Sequence, residues 1–301
     1  MKQLLTIFFI IQSFYFVDIH AQIDNPLRRT FISKSLTGTM GTYALPPKLA
    51  NGKVDNNTLI AQLKELNANT YHWLIEAGNT DLDALKEFLP IAKDNKIKIW
   101  ITLLPPSESP PLTKQFSEPY RLDFIQWAVV LSKLSLQYDN IVAWSIDDFV
   151  HNLKLFTPEY VKTFLDSAKN INPAIAFIPC SYYKQITPEF VKNYGNFLDG
   201  ILFPYRNESV KADLKDPNQV ASEIEKLRML FDKPVLIFLD IYASSHSQLG
   251  ATTPEYIAKV LELGLASADG VLIYCHQNPI VNIEKYTIIQ KGFKTGLGLK
   301  K

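Results

Sequence analysis

Past its first two dozen residues, the chain alternates between two hydrophobic rhythms. Short apolar runs of four to seven residues read as buried strands, and longer stretches with a 3.6-residue period read as amphipathic helices. The strand-like runs are Leu36 to Thr42, Thr70 to Ile75, Ile97 to Leu103, Ile141 to Ile146, Ala174 to Ile178, Gly200 to Phe203, Val235 to Leu239 and Val271 to Tyr274. Helical stretches fill the intervals, including Asn56 to Leu66, Asp81 to Asp94, Pro119 to Tyr138 and a last one from Ile283 to Gly292. In Asp81 to Asp94, Leu82, Leu85, Phe88, Leu89 and Ala92 share one face. A repeated phrase marks three helix starts: Thr157-Pro158-Glu159, Thr187-Pro188-Glu189 and Thr253-Pro254-Glu255. Threonine caps, proline fits the first helical position, and glutamate sits near the positive end of the dipole. These glutamates read as capping residues.

Eight strands alternating with helices predict a single (β/α)₈ barrel within the α/β class. A doubly wound sheet is the rival; it lacks support because no glycine-rich phosphate turn follows any strand. No linker or composition break appears after residue 25, so residues 23–301 read as one domain. Residues 1–22 read as a secretory signal peptide. Lys2 gives the positive start, Leu4 to Ile11 is apolar apart from Thr6, and Ala21 suits the position before a cleavage site. Gln12, Ser13 and Asp18 interrupt the apolar stretch, which makes it short for a membrane span. The expectation is a secreted or periplasmic protein with no membrane attachment after cleavage.

Charge narrows the partners. The sequence has 31 Lys and Arg against 30 Asp and Glu, so no broad basic field points to nucleic acid. Cys180 and Cys275 fall after strands five and eight. Strands three apart in a barrel stand roughly 14 Å apart, too far for a disulfide, which needs Cα atoms within about 7 Å.

In a barrel the active site lies at the carboxyl ends of the strands. Those positions hold Glu76 after strand two, Asp147, Asp148, His151 and Asn152 after strand four, and Tyr182 after strand five. Tyr205 and Arg206 follow strand six, Asp240 and Tyr242 follow strand seven, and His276 and Gln277 follow strand eight. Trp144-Ser145-Ile146-Asp147-Asp148-Phe149 is the most specific string. Two carboxylates emerging together from an apolar strand repel, and one then holds its proton more tightly. That provides an acid and a base from one residue type, as glycosidic cleavage requires. Strand alternation groups Asp147 with Ser145 and Ala143, small residues suited to the crowded interior, so Asp147 is preferred as the inward group. Glu76 shares a face with His72, and both are expected to point inward. Arg206 is read either as a clamp for an acidic sugar or as the partner of Glu208. Tyrosines near the strand ends suit the C–H faces of sugars, whereas Trp73 and Trp144 read as packing residues first.

The alternation, the leader, the aromatic mouth and the Trp-Ser-Ile-Asp-Asp string resemble the secreted TIM-barrel glycoside hydrolases. That resemblance implies an acid/base carboxyl after strand four and a nucleophile after strand seven, both typically glutamate. Here the places hold Asp147, Asp148 and Asp240, a departure that bears on whether the mechanism retains configuration. The expected substrate is a glycan, cleaved without a cofactor by Asp147, Asp148, Asp240 and Glu76. His72, His151, Asn152, Tyr182, Tyr205, Arg206, Tyr242, His276 and Gln277 form the expected binding set. Two alternatives stand beside it. One is a barrel that binds carbohydrate without cleaving it. The other is a metal-dependent hydrolase using His72, Glu76, Asp148, His151, Asp240, His246 and His276, which lacks the paired histidines usual on one strand of a metallo-barrel.

Overall fold

The computed structural model describes residues 26–76, 78, 80–245, 247–275 and 279–299. The leader therefore lies outside the described residues, as do His246, His276 and Gln277. A first helix, α1 (Pro26–Leu36), precedes eight strand–helix units. These are β1 (Thr39–Tyr43) and α2 (Asn56–Glu65), β2 (Thr70–Ile75) and α3 (Asp81–Asp94), β3 (Lys98–Leu103) and α4 (Phe124–Gln137), and β4 (Ile141–Ile146) and α5 (Pro158–Lys169). The second half continues with β5 (Ala176–Phe177) and α6 (Pro188–Tyr194), β6 (Gly200–Pro204) and α7 (Val220–Leu230), β7 (Leu236–Tyr242) and α8 (Pro254–Ser267), and β8 (Gly270–Tyr274) and α9 (Pro279–Leu299).

All strand pairs are parallel, in the order β5-β4-β3-β2-β1-β8-β7-β6. A parallel bridge between Cys180 and Leu202 draws the two ends of the sheet together. The molecule is a nearly closed (β/α)₈ barrel, as the alternation predicts. The three Thr-Pro-Glu phrases act as expected: Thr157, Thr187 and Thr253 accept from the backbone N–H of Tyr160, Phe190 and Tyr256.

Alternation sorts the side chains into two cores. Tyr71, Trp73, Trp144, Phe177, Ile201 and Leu239 face the helices. Trp100, Ala143, Ala176, Ile178, Leu202, Phe238 and Leu272 fill the barrel. Trp73 and Trp144 are thus packing residues, buried against Phe88 and against Phe164 and Phe177. Small residues let layers approach. A Cβ on Gly264 would stand 2.5 Å from Leu239 Cδ2, so glycine there seats α8 against β7.

The structure corrects four boundaries. Strand one starts at Thr39, not Leu36, and Leu36 instead ends α1, which closes the amino-terminal base by packing Ile32 and Leu36 into the inner core. Helix α4 starts at Phe124 rather than Pro119, because Asp123 caps it by accepting from Gln126 N–H. Strand β5 shortens to two residues. Strand β7 runs on through Asp240 to Tyr242, so Asp240 is a strand residue of the inner face, not a loop residue. No disulfide joins Cys180 and Cys275.

Candidate active site

The inner face ends, at the carboxyl mouth, in a layer of polar and aromatic side chains over a cavity of about 430 Å³. Tyr43 rises from β1, Asp147 from the end of β4, Cys180 from beyond β5, Pro204 from β6, Asp240 and Tyr242 from β7, and Tyr274 from β8. Loops add Glu108, Asp148, His151, Tyr182, Arg206, Ser247, Gln248 and Leu249. The floor is Trp100, edge-on to Phe238 with ring centroids 4.8 Å apart, and His72, hydrogen-bonded through Nε2 to Thr102 Oγ1. Beneath Tyr43, with centroids 4.3 Å apart, the buried His72 ring is pushed down to a pKa of about 3 by desolvation and is neutral.

Asp147 is the best-connected carboxyl. Tyr43 Oη donates to its Oδ2 at 2.5 Å, and the backbone N–H of Asp148 donates to its Oδ1 at 3.0 Å. Burial and the neighbouring Asp148 push its pKa up to about 6, against the opposing pull of the Tyr43, Asp148 and Cys180 hydrogen bonds. Asp148 points elsewhere. It holds a left-handed backbone, φ 42° and ψ 34°, a conformation unusual for a residue other than glycine. Tyr182 Oη donates to its Oδ1 at 2.6 Å, and His151 Nδ1 stands 3.3 Å from its Oδ2. The His151 ring stacks on Tyr182, centroids 4.8 Å apart, and the Arg206 guanidinium lies 4.1 Å from the centre of the same ring. That backbone turn separates two adjacent aspartates into different partner sets.

Asp240 has a different environment. It is 3% exposed, its Oδ1 has no hydrogen-bond partner, and burial followed by repulsion from Asp147 pushes its pKa well up.

Glu108, on a short helical turn after β3 (Pro106–Glu108), was not among the expected residues. It lines the cavity, and burial, with Asp147, Asp148 and Glu76 beside it, pushes it up to about 9. The positional rule that selected the other loops covers this one too. Pro105, Pro106, Pro110 and Pro111 mark that segment as a loop with no strand or helix rhythm to single out Glu108.

The structure gathers Asp147, Asp148, Asp240, His151, Tyr182, Arg206 and Tyr242 around one cavity. Other expected residues lie off it. Glu76 sits behind the wall, its pKa raised by burial, Asp81 and Asp147. His72 is part of the floor and does not line the cavity. Asn152 is buried and braces the β3 loop, accepting from Ser107 N–H and donating to Ser107 Oγ and the Asp148 carbonyl. Tyr205 faces the outer layer and donates to the Asp216 carbonyl. Arg206 pairs with Glu208, so of the two roles read for it the internal partner is the one seen.

Among the described residues one group has metal-ligand character: Asp147, Asp148 and Cys180, with one ligand atom each within 4.8 Å of the others. It shares only Asp148 with the expected metal set. Its carboxylate oxygens already accept from Tyr43, Tyr182 and the Asp148 amide, and burial raises the Cys180 thiol well above its ordinary value. This donor set is arranged for proton-bearing neighbours more than for a cation.

No family model matches the chain, and no curated protein matches it in sequence. Solved structures do resemble it. A glucosidase from Croceicoccus marinus is similar with a TM-score of 0.56 and 11% identity, over 87% of this chain and 68% of that one. A family 39 glycoside hydrolase from Bacteroides cellulosilyticus WH2 gives 0.53 and 14%, over 86% of this chain and 64% of that one. A β-glucanase from Saccharophagus degradans gives 0.56 and 10%, over 82% and 83%. At such identities the likeness establishes the barrel. The chain is a TIM barrel whose structural neighbours are glycoside hydrolases, and it spans less than two thirds of the family 39 protein.

Proposed function

We propose that this protein hydrolyses glycosidic bonds, with Asp240 as proton donor and Asp147 as the carboxylate that supports the positively charged transition state. The observation that carries the reading is the pair itself. Two inward aspartates, from β4 and β7, line one cavity in different surroundings: Asp147 accepts several hydrogen bonds, and Asp240 keeps an Oδ1 without a partner. Environments that push two carboxyls apart assign acid and base roles.

Tyr43, Asp148 and Cys180 donate to Asp147 and favour its ionised form, whereas Asp240 keeps a buried Oδ1 without a hydrogen-bond partner. The Asp240 proton passes to the glycosidic oxygen as the C–O bond breaks. Asp147 then either bonds to the anomeric carbon or takes a proton from the attacking water. This ordering reverses the one that strand position suggests, in which a strand-four aspartate is the acid. Tyr242 and Tyr274 line the cavity beside this pair, and aromatic rings suit the C–H faces of a sugar.

A panel of nitrophenyl glycosides, varied in sugar and anomer, tests the proposal. Hydrolysis of at least one, with the configuration of the product followed by NMR, supports it. Binding of sugars without hydrolysis of any member contradicts it and favours a carbohydrate-binding barrel. Export is part of the same proposal and rests on Lys2, the apolar run from Leu4 and the small residue Ala21. A mature protein beginning near Gln22 supports it, and an intact Met1 contradicts it.

A further inference from the structure

Strand register sets a row of rings along one side of the mouth. In the parallel ladder Tyr242 pairs with Tyr274, Tyr274 with Tyr43, Tyr43 with His72, and His72 with Trp100. Register partners point to the same face of a sheet, so rings from β7, β8, β1, β2 and β3 stand side by side on the inner wall. Successive ring centroids lie 5.3, 5.2, 4.3 and 5.6 Å apart, close enough for aromatic contact. Tyr43 has the middle place. Its ring is flanked by His72, tilted at 33°, and by Tyr274, edge-on at 66°. His72 is itself tied down, because its Nε2 bonds Thr102 Oγ1.

The Tyr43 hydroxyl reaches across the barrel. Strands β1 and β4 are three apart in the sheet, roughly 14 Å around the wall at ~4.8 Å per strand. Yet Tyr43 Oη donates to Asp147 Oδ2, 104 residues further along the chain, at 2.5 Å. A side chain must cross the interior to make that bond. Tyrosine does so with two side-chain torsions, and rings packed on its flanks lock both. The Asp148 amide holds the other oxygen, Oδ1, at 3.0 Å. One donor on each oxygen fixes the plane of the carboxyl as well as its place. With the Asp148 bond alone, the carboxyl can turn about it.

We infer that Tyr43 is a positioning residue for the hydrolysis: the aromatic row fixes its ring, and its hydroxyl fixes the Asp147 carboxyl at the cavity. This inference rests on the glycosidase reading and adds to it a residue of β1 that acts through Asp147. It also gives His72 a role, as the support under the Tyr43 ring.

Tyr43→Phe is the first test, since it keeps the ring in the row and removes the donor. The acids that act on Asp147 are Asp148, Asp240, Glu108 and Glu76, and its other donors among the described residues are the Asp148 amide and Cys180. All of these stay in the variant. The Asp147 titration, followed by ¹³C NMR of its carboxyl carbon, should therefore move up by about 1–2 pH units, the size of one hydrogen bond to a charged group. On a nitrophenyl glycoside that the protein cleaves, kcat should fall by about 10- to 100-fold with KM little changed. The limb of the pH–rate profile that reports Asp147 should move up with it. His72→Leu should lower kcat too, and adding it to Tyr43→Phe should cause little further loss, because both act through one hydroxyl. A readout that needs no variant is the Tyr43 Cζ resonance of the unmodified protein, which should shift with the midpoint of Asp147 as its acceptor changes charge. An Asp147 titration left in place by Tyr43→Phe, a Tyr43 Cζ that does not follow Asp147, or losses from the two variants that multiply overturns the inference. If Asp147 moves in Tyr43→Phe but the unmodified protein cleaves no glycoside, the hydrolase reading fails and the hold on Asp147 stands. If a glycoside is cleaved and Tyr43→Phe changes neither kcat nor the titration, this inference fails alone.

Discussion

Both ends of the barrel bury an aspartate, and the two behave in opposite ways. At the amino-terminal base, Asp199 lies just ahead of β6 and meets Arg28 of α1 through Nη1–Oδ1 at 2.5 Å and Nη2–Oδ2 at 2.9 Å. Both side chains are 7% exposed. Phe177 N–H donates to the same carboxylate, and Arg28 also donates to the carbonyls of Pro173 and Ile175. Burial alone would raise Asp199, but Lys169 and Arg28 outweigh it and hold its pKa below the usual carboxylate range. At the carboxyl mouth, the half-buried Asp147 and the buried Asp240 have no cation against them among the described residues, and both go up. Burial therefore does not decide what an aspartate does in this protein. At the base, charge is matched, and the pair clamps α1 under the barrel. At the mouth, burial and neighbouring acids favour the protonated form.

The largest expected effect concerns the unmatched end. Asp240→Asn keeps the shape and removes the transferable proton, so turnover of a nitrophenyl glycoside that the protein cleaves should fall by about 10²–10⁴-fold. A better leaving group should recover part of that loss. Full activity in Asp240→Asn would break the assignment and turn attention to Glu108 and Asp148. The next effect belongs to the base. Arg28→Ala leaves Asp199 buried without its bidentate partner and should cost about 3–4 kcal/mol in urea denaturation. A loss below about 1 kcal/mol would show that the clamp does not hold α1.

The smallest effect has a sign that separates the two ends. A carboxyl with a raised folded-state pKa binds protons more tightly in the native protein, so its contribution to stability is complete below about pH 4 and fades as pH rises through the folded value. For Asp147 that window closes near pH 6, and for Glu108 near 9. Asp199 runs the other way, its contribution fading only as pH falls through its depressed pKa. Unfolding free energy should therefore drop by about 1–3 kcal/mol between pH 5 and pH 7.5. Asp147→Asn should flatten that slope and stabilise the protein at pH 7.5 by about 1 kcal/mol, discounted for its partial exposure and for the donors it shares. A stability that rises over this range would contradict the unmatched mouth.

Much of this contrast was legible in the chain. The bounds of β2, α3 and β4 follow directly from period and composition, because each apolar run ends at a charged or turn-forming residue. The inward placement of Asp147 follows from the small residues Ala143 and Ser145 that share its face. Helix α1 was not legible as a helix because its buried stripe, Arg28, Ile32 and Leu36, begins with a cation whose partner lies 171 residues away. Asp240 ended strand seven in the sequence reading because a charged residue closes an apolar run. In the fold it stays within the strand, where burial raises its pKa and favours the protonated form. Glu108 was hidden by its prolines. His72 looked like a ligand because a histidine on an inner face needs a reason; Thr102 and the Tyr43 ring supply it.

The most direct measurement of the central contrast is a pH titration by NMR of the side-chain carboxyl carbons, with ¹³C-labelled aspartate and with Asp147→Asn, Asp240→Asn and Asp199→Asn for assignment. The account predicts that Asp147 titrates near 6 and Asp240 above the ordinary aspartate range, while Asp199 stays ionised below that range. If all three titrate together near 4, the two ends of the barrel do not differ, and the mouth holds no proton to give.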